Sequence, residues 1–334
     1  MHEVLSADFD LFRCRVLVYA PSWRCDAHCV HCFLPRGARL RDDYDPRVLR
    51  GLLKTLPDEV RVISLTGGEP FFDQRRFLRI VSSIHAHGRY SAVVTNGLWG
   101  HDLRRARKVL SSAVRIGLRY FAISIDDFHA PALDDLEIVG LLNVARDVGL
   151  RVAMKGAGFS ARRRWQRLSR CAELRWLPLR RGWESLENVG SARRLRPERK
   201  GMQGVGSGCA NLLRPMVLPG GEFLACCSTR IFQAKGTWLD RGLLGERTAA
   251  DILERYQKDF LIGGLLAFGP VTLLRRLGAE QKLRGRSKCE LCITFLRDSR
   301  LRCRVEKLIG DDRSLRKEIV ARLLLLQDTL NPVD

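Results

Sequence analysis

Shortly after an apolar run from Cys14 to Ala20, the chain reads Cys25-Asp-Ala-His-Cys29-Val-His-Cys32-Phe33. The C-x3-C-x2-C spacing puts three thiols on one short loop, framed by Pro21 before it and by Pro35 and Gly37 after it. Three thiolates so close together can wrap one face of an iron–sulfur cube. The loop lacks a fourth cysteine. Structural metal sites are usually closed by four protein ligands, whereas three leave one metal position open for chemistry. The alternative is a zinc ion completed by His28 or His31. That spacing is uncommon for zinc, and both histidines lie between cysteines, where a tetrahedral chelate would be cramped.

A second apolar strand, Val60 to Leu65, leads into Thr66-Gly67-Gly68-Glu69-Pro70. Two adjacent glycines let backbone approach a ligand closely. The cysteine loop with an aromatic residue after its last Cys, followed by GGEP after the next strand, resembles the radical S-adenosylmethionine (SAM) enzymes. The resemblance implies a 4Fe–4S cluster on Cys25, Cys29 and Cys32. It also implies SAM held through Gly67, Gly68, Glu69 and Pro70, with Phe33 against the adenine.

From about Arg13 to Val189, short β-branched runs alternate with longer amphipathic segments, the pattern of parallel strands joined by helices. The expected strands are Cys14–Ala20, Val60–Leu65, Ser91–Thr95, Tyr120–Ile125, Arg151–Met154 and Trp183–Val189. The expected helices are Pro46–Leu56, Asp73–His87, Asp102–Leu118, Leu133–Val148 and Ser160–Leu174. Gly88, Gly117 and Gly149 lie near the ends of three of them. The fold class is α/β, and six such repeats match the open, partial (β/α)6 barrel that the resemblance implies. Chemistry in barrels of this kind collects at the carboxyl ends of the strands. In the family that the chain resembles, polar residues at the end of the fourth strand often contact the ribose or carboxylate of SAM, which makes Ser124 and Asp126 the candidates here, with loop capping as the structural alternative. Asn96-Gly97, at the end of the third, reads as a turn. Two catalytic candidates remain. Lys155 ends the fifth strand and reads equally well as solvated. His129 is able to exchange a proton near neutral pH, but it precedes Pro131 in a loop, where a structural role is the competing reading.

Beyond a basic, glycine-containing linker, Arg193 to Gly208, a second cysteine set begins. Cys209 is followed by eleven residues, Gly221, four residues and Cys226; Cys289-Glu-Leu-Cys292 comes after a long insert. Pro215–Leu218 and Glu222–Ala225, joined through Pro219-Gly220-Gly221, read as a β-hairpin carrying Cys226. This half resembles the SPASM and twitch extensions of radical SAM enzymes. Cys303 does not fit the longer SPASM pattern, so the shorter twitch form is expected, with one auxiliary 4Fe–4S cluster on Cys209, Cys226, Cys289 and Cys292. Cys227 is a possible substitute for Cys226, and zinc is the structural alternative because four cysteines with a C-x2-C suit it. The expected domains are a radical SAM partial barrel at 11–195, a twitch-like domain at 205–300 and a helical tail at 301–334.

With 334 residues and 46% hydrophobic content the chain can bury a substantial core. Its 11 cysteines, with no signal peptide in Met1–Asp10, favour metal or redox use over disulfides and a cytoplasmic setting. The longest apolar run, Phe260 to Pro270, is too short to cross a bilayer. The net charge of +21 is spread through every expected helix, without the focused footprint of a nucleic-acid binder. The resemblance implies radical chemistry that oxidises or cross-links a substrate, supplied with electrons by a donor such as flavodoxin or ferredoxin. A peptide or protein substrate is favoured because such enzymes are the more numerous. A small-molecule alcohol dehydrogenase of natural-product biosynthesis is the alternative, and a non-enzymatic zinc protein is the reading from another class.

Overall fold

The computed structural model describes residues 10–34, 43–126, 128–129, 133–176, 182–184, 189–191, 208–279 and 287–330, with backbone alone at 158–160, 182–184 and 327–330. The linker expected from Arg193 to Gly208 lies outside the described residues except for Gly208. The chain divides into two compact units, one made of residues 19–49 and 61–198, the other of residues 1–18, 50–60 and 199–334. The first eighteen residues group with the carboxyl-terminal half, and the expected tail from 301 belongs to that same unit.

In the first of these units, strands β2 (Val62–Leu65), β3 (Tyr90–Thr95), β4 (Leu118–Ser124), β5 (Arg151–Ala157) and β6 (Gly182–Glu184) pair in parallel and in chain order. Helices α2 (Gln74–Ala86), α3 (Leu103–Arg115), α4 (Asp135–Asp147) and α5 (Gly158–Leu168) form the connections. Strand–helix–strand repeats of this kind bring every strand's carboxyl end to one rim. Local chemistry marks the helix starts. The Asp73 and Asp102 carboxylates accept from the first-turn amides of α2 and α3, and Asp134 with Glu137 forms a reciprocal capping box on α4. Gly88, Gly117 and Gly149 follow α2, α3 and α4 with positive φ, as expected of helix ends. Val93, Phe121, Ile123 and Met154 from the strands meet Phe77, Ile84, Leu110 and Leu141 from the helices in a buried core.

In the other unit, β7 (Met216–Val217), β8 (Glu222–Leu224) and β9 (Asp240–Leu243) form an antiparallel sheet, so the expected hairpin is present with a third strand added. The short turn α6 (Ile231–Ala234) and the helices α7 (Ala249–Gln257), α8 (Phe260–Arg276), α9 (Lys288–Arg297), α10 (Ser299–Asp311) and α11 (Arg313–Leu330) follow. The apolar run from Phe260 begins α8, which is buried from Leu261 to Val271 and packs against α9, α10 and α11. It is a core helix, kinked at Gly269-Pro270. No helix among the described residues is long and apolar enough to cross a membrane. Strand β1 (Val16–Tyr19) and helix α1 (Pro46–Thr55) complete the elements. The Val18 amide donates to the Pro215 carbonyl at 2.8 Å, and the Ala249 amide to Thr55 Oγ1 at 3.0 Å.

Candidate metal centres

Cys25 and Cys32 are half-buried and Cys29 is buried, and none of the three is in a disulfide. The Cys32 amide donates to the Cys29 carbonyl at 3.2 Å, turning the loop between them. Behind the loop, backbone packs on backbone. The Gly68 amide donates to the Ser22 carbonyl at 3.0 Å and the Glu69 amide to the Arg24 carbonyl at 2.7 Å. A Cβ on Gly68 would lie 2.0 Å from the Arg24 oxygen; one on Gly67, whose φ is +117°, would lie 2.6 Å from the Ser22 oxygen. The far end of the loop is held the same way. Ser191 donates its amide to the Cys32 carbonyl at 2.9 Å, and a Cβ on Gly190 would strike the carbonyl of half-buried Phe33. The glycines therefore seat the cysteine loop itself. Three unoxidised thiols on so constrained a loop fit the open, three-ligand set expected for a cluster. Burial, the largest influence on it, pushes the Cys25 thiol up to about 12.

Glu69 is buried and its carboxylate is fully engaged. Oε1 accepts from the Phe71 amide at 3.0 Å and the Thr95 hydroxyl at 2.7 Å, while Oε2 accepts from the Asn96 amide at 2.8 Å. Burial pushes this carboxyl up to about 7 against the pull of those three donors. Pro70 starts the single 3-10 turn that follows and ends at Asp73. Thr95 in turn accepts from the Trp99 indole at 2.8 Å, and Trp99 stacks on Phe71. Asn96, passed over in the sequence as part of a turn, is brought to the loop. Its Nδ2 donates to Asp26 Oδ1 at 3.1 Å and lies 3.7 Å from Cys25 Sγ. Its place after a strand on the catalytic rim was the signal available; the Asn-Gly dipeptide hid it. Beside this network, a cavity of about 540 Å³ opens, walled in part by Arg24 and Asp26, which flank Cys25.

Asp126, after β4, is buried and organises the neighbouring rim. Its Oδ1 accepts from the ring Nδ1 of His129 at 2.8 Å and from the His129 amide at 3.2 Å; Oδ2 accepts from the Ala157 amide at 3.1 Å. Burial would raise this carboxyl, but the His129 bond and charge outweigh it and hold it below the ordinary carboxylate value. For His129, burial acts downward, and Asp126 followed by Cys29 overcome it and lift the imidazole to about 10. His31 stacks on Phe128 and meets His129 edge-on, with Nε2 3.6 Å from Asp126 Oδ1. Donor atoms of Cys29, His31 and His129 all lie within 4.8 Å of one another, a grouping tight enough for a single ion. Ser124 and Lys155 are half-buried register partners on β4 and β5, and the Lys155 carbonyl accepts from the Ile125 amide at 2.8 Å.

Residues 19–156 match the radical SAM superfamily. Among curated proteins it is similar to YydG of Bacillus subtilis (strain 168), provisionally named for peptide biosynthesis, at 25% identity over 138 residues. That match covers 39% of this chain and 43% of YydG, so the chain accounts for less than half of that relative. Among solved structures, SuiB of Streptococcus suis bound to precursor peptide SuiA aligns over 80% of this chain and 70% of SuiB, at 16% identity and a TM-score of 0.47. Methylornithine synthase (PylB) aligns over 59% of this chain and 61% of its own, at 14% identity and a TM-score of 0.44.

The radical SAM match ends before the second cysteine set, whose geometry is separate. Cys226 stands two residues after β8 and is buried; Cys209, Cys289, Cys292 and Cys227 are half-buried, and none is in a disulfide. Cys289 and Cys292 stand three residues apart in the first turns of α9, a spacing that puts both on one face. Burial, and then the thiols of Cys209 and Cys289, push Cys226 well above the ordinary value; burial, and then Cys209, Cys226 and Cys289, do the same for Cys292. Four cysteines from three separate segments thus share one electrostatic neighbourhood. Tyr256, whose hydroxyl donates to the Leu212 and Ala225 carbonyls, fixes the chain next to two of them. Cys303 stands exposed on α10.

Proposed function

We propose that this radical SAM enzyme oxidises or cross-links a peptide or protein, using a first 4Fe–4S cluster on Cys25, Cys29 and Cys32 and one auxiliary 4Fe–4S cluster on Cys209, Cys226, Cys289 and Cys292. When bound, the first cluster and SAM supply a 5′-deoxyadenosyl radical that takes a hydrogen atom from an unactivated carbon. The observation that carries the reading is the three-cysteine loop, none of it in a disulfide, seated on Gly67 and Gly68 within the family match. The similarity to a protein named for peptide biosynthesis supports the substrate class.

The chain's own residues have definable tasks in this reading. Gly67 and Gly68 fix the height of the cysteine loop, and Gly190 and Ser191 fix its far end. Glu69 ties GGEP to the end of β3, so that Asn96 meets Asp26 and Cys25. Ser124 and Asp126 line the SAM side of the rim, with Asp126 holding the His129 ring in place. Phe33 would lie against the adenine when SAM is bound. Lys155 and His129 are the side chains available to a substrate. The cavity beside Cys25 provides room at the loop for a bound molecule. A donor such as flavodoxin or ferredoxin supplies the electron that starts each cycle.

The test is anaerobic reconstitution of wild type and of the Cys25→Ala/Cys29→Ala/Cys32→Ala variant, followed by measurement of 5′-deoxyadenosine made from SAM and dithionite. Wild type forms it and the variant does not; equal production by both rejects the site. Loss of two hydrogens from short peptides encoded beside the gene, seen by mass spectrometry on co-expression, checks the substrate class. One observation favours a second reading: the compact Cys29, His31 and His129 group suits a lone zinc ion. In that case purified protein carries one zinc per chain at this loop and no acid-labile sulfide.

A further inference from the structure

We infer that Lys288 is the charge-compensating residue of the auxiliary centre, where its ammonium draws the ligand-bearing segments together and favours the reduced cluster. The inference rests on the reading of Cys209, Cys226, Cys289 and Cys292 as ligands of one cluster. Lys288 opens α9 immediately before Cys289, and its Nζ donates to the Gly208 carbonyl at 3.2 Å, immediately before Cys209. One side chain therefore spans the two points where these ligand segments begin. The Cys209 segment is fixed from its other side. A Cβ on Gly208 would lie 1.9 Å from the Leu266 carbonyl, and the Cys209 amide donates to Leu265 at 3.2 Å, so this stretch lies flat on α8. Held against that surface, the half-buried ammonium stands at the start of the Cys209 segment.

The charge logic follows from the donor set. Four thiolates around a cluster leave the centre net negative, and adding one electron makes it more so. A cation a few ångströms away in a partly desolvated site stabilises the more negative state most. Another basic side chain, Arg230, lies 3.9 Å from Glu290 of α9 and donates to Gln233 at 2.9 Å, and the carboxylate partly neutralises its charge. The first turn of α9 adds its unpaired amides in the same direction, with Ser287 as the cap. Lys288 thus sets how readily this centre takes an electron, the property that the proposed oxidation requires of it.

The experiment uses full-length wild type, Lys288→Gln and Lys288→Arg, reconstituted anaerobically. Clusters are counted by Mössbauer spectroscopy, and the auxiliary midpoint potential is read by an EPR-monitored titration. Lys288→Gln is expected to keep two clusters and to move the reduction equilibrium about tenfold toward the oxidised form, about 59 mV lower for a one-electron couple. Lys288→Arg stays near wild type. An unchanged midpoint in Lys288→Gln, or an equal drop in Lys288→Arg, overturns the inference. Should Lys288→Gln lose its auxiliary iron, Lys288→Arg decides: wild-type iron and potential support the charge role, and loss of iron there too leaves only a structural staple and rejects it. Wild type carrying a single cluster rejects the ligand assignment itself, and the inference with it.

Discussion

Glu69 shows how a residue read from a motif acquires a different physical role once its neighbours are known. As part of GGEP it was expected at the cofactor. Its carboxylate accepts from Phe71, Thr95 and Asn96, which makes it the tie between two strand ends. A Gln at this position presents an amide N–H to a donor, and one buried donor loses its acceptor, at a cost of roughly 1–3 kcal/mol. The pH dependence has a definite sign. Burial raises the folded carboxyl from 4.5 to about 7, so the folded state holds its proton more tightly than the unfolded chain. This contribution to stability is full below pH 4.5 and is lost as pH rises to about 7. Thermal unfolding of metal-free wild type and Glu69→Gln should therefore show the wild-type advantage shrinking across that window. An advantage that grows with pH would mean the three donors outweigh burial.

At the level of elements, the packing of GGEP on the cysteine loop changes what a glycine substitution does. From the motif alone, Gly68→Val is expected to weaken SAM binding while sparing the cluster. The 2.0 Å approach of a Gly68 Cβ to the Arg24 carbonyl corrects this, because the obstacle is backbone one residue before Cys25. Gly68→Ala should then displace the loop and reduce both cluster iron and SAM binding severalfold. The control is Gly51→Ala at an exposed position of α1, where a Cβ meets nothing within 4 Å. There the substitution should leave iron unchanged and stabilise the helix by about 0.5–1 kcal/mol. Iron per chain after anaerobic reconstitution is the measurement, and wild-type iron in Gly68→Ala would refute the packing argument.

For the whole molecule, the consequential feature is that one compact unit is assembled from three stretches of chain. Leu11 donates its amide to the Gln257 carbonyl, and Cys14 donates its own to Gln257 Oε1, each at 2.9 Å. Phe12 packs edge-on against Tyr256. Removal of residues 199–334 therefore strips partners from Leu11, Phe12 and Cys14, all of them fully or nearly fully buried. A fragment of residues 1–198, although it contains all of the radical SAM match, should be recovered as aggregate under conditions that keep the full chain monomeric in size-exclusion chromatography. A soluble, monomeric fragment would show that the two units fold independently.

Much of the first unit was legible in the sequence because its signals are local. Alternation of β-branched runs with amphipathic segments located most strands and helices to within a few residues, although α5 ends at Leu168 and not Leu174, and β6 at Glu184 and not Val189; Asp73, Asp102 and Asp134 mark helix starts through bonds only two or three residues long. The cysteine spacings and GGEP were equally plain, since thiol chelation and close backbone approach depend on residue type and order. Strand β9 and helix α7 were not legible. They lie in the long insert between Cys226 and Cys289, and β9 is a short, half-polar strand that exists by pairing with β8. Tertiary structure also decided that Asn96 reaches Cys25, that His31 and His129 meet at Asp126, and that Lys288 stands beside Cys209. Those contacts join residues up to 98 positions apart, and a short-range pattern holds no information about which loops the parallel strands will bring to the same rim.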